Sequence, residues 1–220
     1  MHDPAAADPH ALTRGPATAE RRLVLLHGWG ADADDLLDLA ELLVPATVSV
    51  VSLRAPQIHP AGVGRQWYPL LWREMVLEPA WPEVPAARTD LRRRLEHLGE
   101  TVPLTHTALL GFSQGAAMAL DVATGGDGPL PLAALIGCSG YPHRDWCPRA
   151  CGTPVLLTHG REDPVVTWEH CNALQQWLEA AGITVTRQDF RGGHGIDPTL
   201  FPLMRRFLER GWDACPAAAP

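Results

Sequence analysis

Leu109-Leu110-Gly111-Phe112-Ser113-Gln114-Gly115-Ala116 is the stretch on which the reading of the fold turns. The apolar run before it, His106–Phe112, predicts a strand. The run after it, 114–124 (QGAAMALDVAT), predicts a helix of small residues. A chain that passes from strand to helix through one residue strains that residue and pushes its side chain outward. Bulky neighbours would collide with so sharp a turn, so the positions two away on either side must be small. Gly111 and Gly115 meet that need, which makes Ser113 a candidate nucleophile. The plainer reading is a glycine-rich strand end whose serine caps the helix.

Working outward, apolar runs alternate with helical patterns. Leu23–Leu26, 47–53, 132–138, 154–158 and 183–190 read as strands. Residues 33–43, 87–99, 167–181 and 198–211 read as helices. Such alternation predicts an α/β fold with a central, mostly parallel sheet and helices on both faces. Residues 54–85, with many Pro and three Trp, break the rhythm and predict the longest irregular stretch. Residues 1–20 and 213–220 read as flexible tails around a single domain at 21–212. In parallel sheets, ligands bind at the carboxyl ends of the strands.

A serine nucleophile needs a base, and the base needs an orienting acid. In this architecture the acid and then the histidine follow the serine along the chain. Asp163 stands in the loop after the 154–158 run, and His194 in the glycine-rich loop after the last strand. Glu162 is adjacent but would point elsewhere. Asp145 comes before the acid strand, and Asp189 reads as an exposed residue within the last one. His143, His159 and His170 precede the last strand; His159 reads as a strand-end residue bonded to backbone. His27 is expected to shape the loop beside the site. The oxyanion of an acyl intermediate needs two donors. They are assigned to the backbone N–H groups of Gln114 and of Trp29, with Gly28 and Gly30 letting the loop turn inward. The Trp29 indole is then expected to project toward the substrate.

Composition removes other chemistries. The chain has 220 residues and 18 basic ones, all of them Arg. Without lysine there is no Schiff base, no P-loop, no protein kinase of the usual form and no Ser-x-x-Lys hydrolase. The serines are only four: Ser49, Ser52, Ser113 and Ser139. A net charge of −7 argues against nucleic acid as a partner. Five cysteines, without Cys-x-x-Cys, suit free thiols in a reducing compartment. Pro142 and Pro148 break the helical spacing that would let His143, Cys147 and Cys151 hold zinc, so no metal is expected. The first 15 residues do not resemble a signal peptide, and no apolar run is long enough for stable membrane insertion. A cytoplasmic location is expected, as a monomer or homodimer.

Leu26–Asp32 (LHGWGAD), Gly111–Ala116 (GFSQGA), His159-Gly-x-x-Asp163-Pro-Val-Val and Gly193-His194 together resemble the phospholipase/carboxylesterase family. The resemblance spans about residues 21–210. It implies an α/β-hydrolase fold without a large cap domain, a Ser-Asp-His triad, no cofactor, and activity on acyl esters or thioesters. Three positions depart from the family's pattern. Trp29 stands where Leu is common, Pro69 replaces an Asp after Trp67-Tyr68, and Thr167 replaces a Pro. These changes fall on segments that would shape an acyl pocket, for which Trp67, Leu70, Leu71, Trp72 and Val166 are the candidate lining residues. The reading is a serine carboxylesterase acting through an acyl-enzyme on Ser113. Its alternatives are an acyl thioesterase or lysophospholipase of the same family, and an inactive binding protein on a hydrolase scaffold.

Overall fold

The computed structural model describes residues 10–214, apart from 74, 75 and 127. Its centre is a seven-stranded sheet. The strands are β1 (Ala11–Arg14), β2 (Arg22–Leu26), β3 (Ser49–Leu53), β8 (Thr107–Phe112), β9 (Ala134–Cys138), β10 (Val155–Gly160) and β11 (Val185–Phe190). Across the sheet they run β1-β3-β2-β8-β9-β10-β11, all parallel except β1. Two short ribbons lie within the irregular stretch: β4 (Gln57–Ile58) with β5 (Arg65–Gln66), and β6 (Leu70–Arg73) with β7 (Val76–Pro79). The helices are α1 (Leu37–Leu43), α2 (Val84–Leu98), α3 (Gln114–Thr124), α4 (Trp168–Ala180) and α5 (Phe201–Asp213).

Alternation along the strands divides the apolar side chains between two faces. Val24, Leu26, Leu109 and Leu135 pack with Leu91 and Leu95 of α2, Met118 of α3 and Leu174 of α4. Leu23, Leu25, Leu110 and Ile136 pack with Leu37 of α1 and with Met204 and Leu208 of α5. Each fully buried Leu contributes roughly 1.5–3 kcal/mol. Because both faces are covered, the central strands carry no polar alternation, which is why they read as continuous apolar runs.

The topology fixes where a ligand can bind. From β2 the chain winds outward to β3, and from β8 it winds the other way to β9, β10 and β11. The order therefore reverses between β2 and β8, and the crevice of a parallel sheet opens at that point. The loop His27–Gly30 leaves the end of β2, and Ser113 leaves the end of β8.

The expected tail is corrected at residues 11–14. They form β1, which pairs with β3 from Ala11↔Leu53 to Arg14↔Val50 and covers what would be an open sheet edge. Four residues among prolines and alanines give too short a pattern to separate from a tail. Residues 1–9 and 215–220 lie outside the described residues. Helix α5 runs two residues past its expected end, to Asp213, where Arg21 pairs with that carboxylate at 3.0 Å.

Gly115 sets how closely α3 approaches the sheet. A Cβ there would lie 2.2 Å from the Leu26 carbonyl oxygen and 2.6 Å from that of His27. Gly115→Ala must push the helix off β2, so it is expected to cost about 1–3 kcal/mol, read as a lower urea midpoint. An unchanged midpoint would contradict the packing described.

Candidate active site

Ser113 joins β8 to α3 at φ 54° and ψ −117°, a left-handed conformation that costs a non-glycine residue about 1–3 kcal/mol. Its N–H donates to the Cys138 carbonyl at 2.9 Å, which ties the turn to β9. Its side chain makes no helix-capping bond. Instead Oγ lies 2.9 Å from His194 Nε2, and His194 Nδ1 lies 2.7 Å from Asp163 Oδ2. The other carboxylate oxygen, Oδ1, accepts from the N–H groups of Val165 and Val166, each at 2.9 Å. Burial pushes the Asp163 carboxyl up. The hydrogen bond from His194 and those from Val166 and Val165 outweigh it, and the net shift is downward. An ionised Asp163 can only accept, so Nδ1 carries the imidazole proton toward it and Nε2 faces Ser113 as acceptor.

The loop that brings His194 back over the serine depends on Gly160. A Cβ there would sit 2.2 Å from the Gly193 carbonyl oxygen and 2.5 Å from that of Gly192. The competing residues are engaged elsewhere. Glu162 pairs with Arg191 at the surface, and Asp145 bonds Arg88 at 2.6 Å. Asp189 was expected exposed, but it is half-buried because Arg187 and the Trp168 indole both donate to it. His159 Nε2 lies 2.8 Å from the Val166 carbonyl oxygen, which completes the brace around the Asp163 loop.

The loop after β2 runs beside the serine, since a Cβ on Gly28 would stand 3.5 Å from Ser113 Cβ. The Ala55 N–H donates to His27 Nε2 at 3.1 Å, so Nδ1 carries the proton and donates to the Gly28 carbonyl at 2.8 Å. Burial holds the His27 imidazole below its ordinary pKa, against the backbone bond that raises it. His27 therefore acts as a neutral brace. The Gly30 N–H is taken by the Arg65 carbonyl at 2.8 Å, and the Arg65 N–H returns to the Ala31 carbonyl at 2.7 Å. The Trp29 and Gln114 N–H groups have no hydrogen-bond partner among the described residues.

The candidate pocket residues separate. Trp67 is corrected: it is 1% exposed, and its indole N–H donates to the His27 carbonyl at 2.9 Å. It supports the loop after β2 from within the core. The Trp29 indole, expected to face the substrate, is held against β4 and β5 by an edge contact with His59 and a 2.9 Å bond to Gln66 Oε1. Leu70 is partly buried against the core, and Leu71 is 44% exposed. Val166 is buried, with its N–H and carbonyl committed to Asp163 and His159. The Trp72 side chain lies outside the described residues.

Two features escaped the sequence reading. The Gln114 side chain spends both ends of its amide on the irregular stretch. Oε1 accepts from the Trp67 N–H at 3.0 Å, and Nε2 donates to the Tyr68 carbonyl at 2.8 Å. Beside it, Asp121, His143, Tyr68 and Tyr141 form a hydrogen-bonded chain. No spacing links these residues. The one trace is Asp121, a charge inside a helix of small apolar residues.

Residues 10–211 match the phospholipase/carboxylesterase family. The esterase YpfH of Escherichia coli (strain K12) is 28% identical over 195 residues, which cover 86% of this chain and 82% of that protein. The esterase PE8 superposes with a TM-score of 0.79 at 27% identity, over 90% of this chain and 97% of that one. The carboxylesterase of Bacillus cereus shares the fold with a TM-score of 0.79 at 21% identity, over 91% and 93% of the two chains. Ordered along the sheet and matched over nearly its whole described length, the chain belongs to the phospholipase/carboxylesterase family.

Proposed function

We propose that the protein is a serine carboxylesterase that hydrolyses acyl esters through a covalent intermediate on Ser113. One observation carries the reading: the hydrogen-bonded run from Ser113 Oγ through His194 to Asp163, at 2.9 and 2.7 Å, centred on a strained turn. His194 Nε2 takes the hydroxyl proton as Oγ attacks the ester carbonyl. Asp163 holds the imidazole in the tautomer that leaves Nε2 free, and stabilises the cation that forms. The negative charge on the carbonyl oxygen falls to the N–H groups of Trp29 and Gln114, which the surrounding bonds leave uncommitted. His194 then protonates the departing alkoxide. Water attacks the acyl-enzyme by the same route and regenerates Ser113. Family membership and the likeness to the two named esterases support the substrate class.

Ser113→Ala is expected to abolish p-nitrophenyl ester turnover with an unchanged circular dichroism spectrum; retained turnover would overturn the mechanism. A fluorophosphonate probe should label the native protein and not this variant. Asp163→Asn keeps the shape of the carboxylate but favours the other imidazole tautomer, so kcat is expected to fall about 10⁴-fold. The same variant tests the charge. A carboxylate with a lowered folded pKa adds stability above its unfolded value, about pH 4, and loses it as pH falls through the folded value. The stability gap between native protein and variant should hold at neutral pH and close below about pH 4. A gap independent of pH would mean that Asp163 is not ionised.

A further inference from the structure

The chain of Asp121, His143, Tyr68 and Tyr141 lies outside the mechanism above. His143 Nδ1 is 2.6 Å from Asp121 Oδ2, and His143 Nε2 is 2.9 Å from Tyr68 Oη. Tyr68 Oη is 2.6 Å from Tyr141 Oη. The Asp121 and His143 side chains are 1% and 0% exposed, and Tyr68 is fully buried. At the other end the partly exposed Arg88 donates to Asp121 at 3.1 Å and to the exposed Asp145 at 2.6 Å. Of the four, Asp121, His143 and Tyr68 are buried and Tyr141 is partly exposed.

Burying a carboxylate is costly, and apolar side chains of the same volume commonly serve stability as well or better. A run of buried polar groups that ends on a partly exposed tyrosine beyond the carboxyl end of β9 points to that tyrosine's hydroxyl. Its position is set from three sides. Ser139, two residues earlier, places Oγ 3.4 Å from the carbonyl oxygen of Gly195, next to His194. A Cβ on Gly140 would lie 2.9 Å from Ala116 Cβ in the first turn of α3. The Tyr141 ring lies 6.4 Å from that of His170, at the start of α4. Tyr141 thus follows the carboxyl end of β9, between the Ser113 turn, the His194 loop and the segment after Asp163. Burial pushes both phenols above their ordinary pKa, so both remain hydroxyls.

We infer that Tyr141 Oη is a specificity-determining group that hydrogen-bonds a hydroxyl carried by the ester near its scissile bond, with Tyr68, His143 and Asp121 as positioning residues. The inference rests on the esterase reading of the same site. A phenol bonded to one partner keeps capacity for another. The chain can run in either sense. With His143 neutral, Tyr68 donates to Nε2, Tyr141 donates to Tyr68, and Tyr141 offers lone pairs outward. With His143 protonated, each bond reverses and Tyr141 offers its O–H. A substrate hydroxyl is donor and acceptor at once, so it fits both senses, whereas an ether or ketone fits one.

The test compares isosteric ester pairs. In the acyl arm, p-nitrophenyl 3-hydroxybutanoate is set against p-nitrophenyl 3-methylbutanoate. In the alcohol arm, 2-hydroxyethyl butanoate is set against propyl butanoate. In one arm, Tyr141→Phe is expected to lower the hydroxyl-to-isostere ratio of kcat/KM about 10-fold, the worth of one hydrogen bond. The arm that responds identifies the half of the ester that is read. Tyr68→Phe should lower the same ratio by less, because it removes only the group that orients Tyr141. A ratio unchanged in both arms overturns the inference, as does an equal fall in both members of each pair. The ratio is independent of which residue is the nucleophile, so turnover retained by Ser113→Ala would sink the mechanism and leave this test readable. If no ester is turned over, calorimetric binding of the same pairs to Ser113→Ala, with and without Tyr141→Phe, decides it. Tighter binding of the hydroxyl member that Tyr141→Phe removes is the expected result, and equal binding overturns it.

Discussion

The backbone of Ser113 cannot relax. It is held at φ 54° between a strand and a helix that are each buried over almost their full length. To relieve the strain, α3 would have to move, and it rests on Leu26 and His27 through the absent side chain of Gly115. The apolar burial that stabilises the sheet therefore maintains the strain at the turn. The same contact seats the start of α3 against the end of β2 and the loop that follows it. Strain, close packing and the crevice at the reversal of strand order have one origin.

The irregular stretch gains a purpose from this. It is sewn to the loop after β2 by the Arg65 backbone, to the His27 carbonyl by the Trp67 indole, and to α3 by the Gln114 amide. These bonds consume the Gly30 N–H and leave that of Trp29 uncommitted. A segment that looks like a covering for the pocket is, at residues 65–68, the frame that aims the loop. Residues further along, at 70–71, are the more exposed ones.

Much of the fold was legible because both-face burial writes itself as apolar runs, and helices between them leave a 3.6-residue rhythm. Helix α3 and the strand before it could be read from composition, since a close-packed turn tolerates only small residues. The grouping of Asp163 and His194 with Ser113 was legible because loops after strands in this topology have few candidates. What escaped was tertiary. Strand β1 is four residues long and gains its identity from the edge of β3. Trp67 looks like a pocket residue in a list of aromatics, yet an indole N–H that finds a buried carbonyl belongs to the core. The chain from Asp121 to Tyr141 joins four segments that no sequence spacing connects.

The two proposed reacting groups hang from parts of the sheet that differ in security. Ser113 ends β8, which has neighbours on both sides and helices over both faces. His194 follows β11, which among the described residues pairs only with β10 and keeps no fully buried residue along its length. Opening free energies in a folded protein rise from edges to centre. On that ordering, warming is expected to withdraw His194 from Ser113 before the central sheet yields. Under the proposed mechanism, loss of activity and loss of fold are then separate events, the first governed by a single strand.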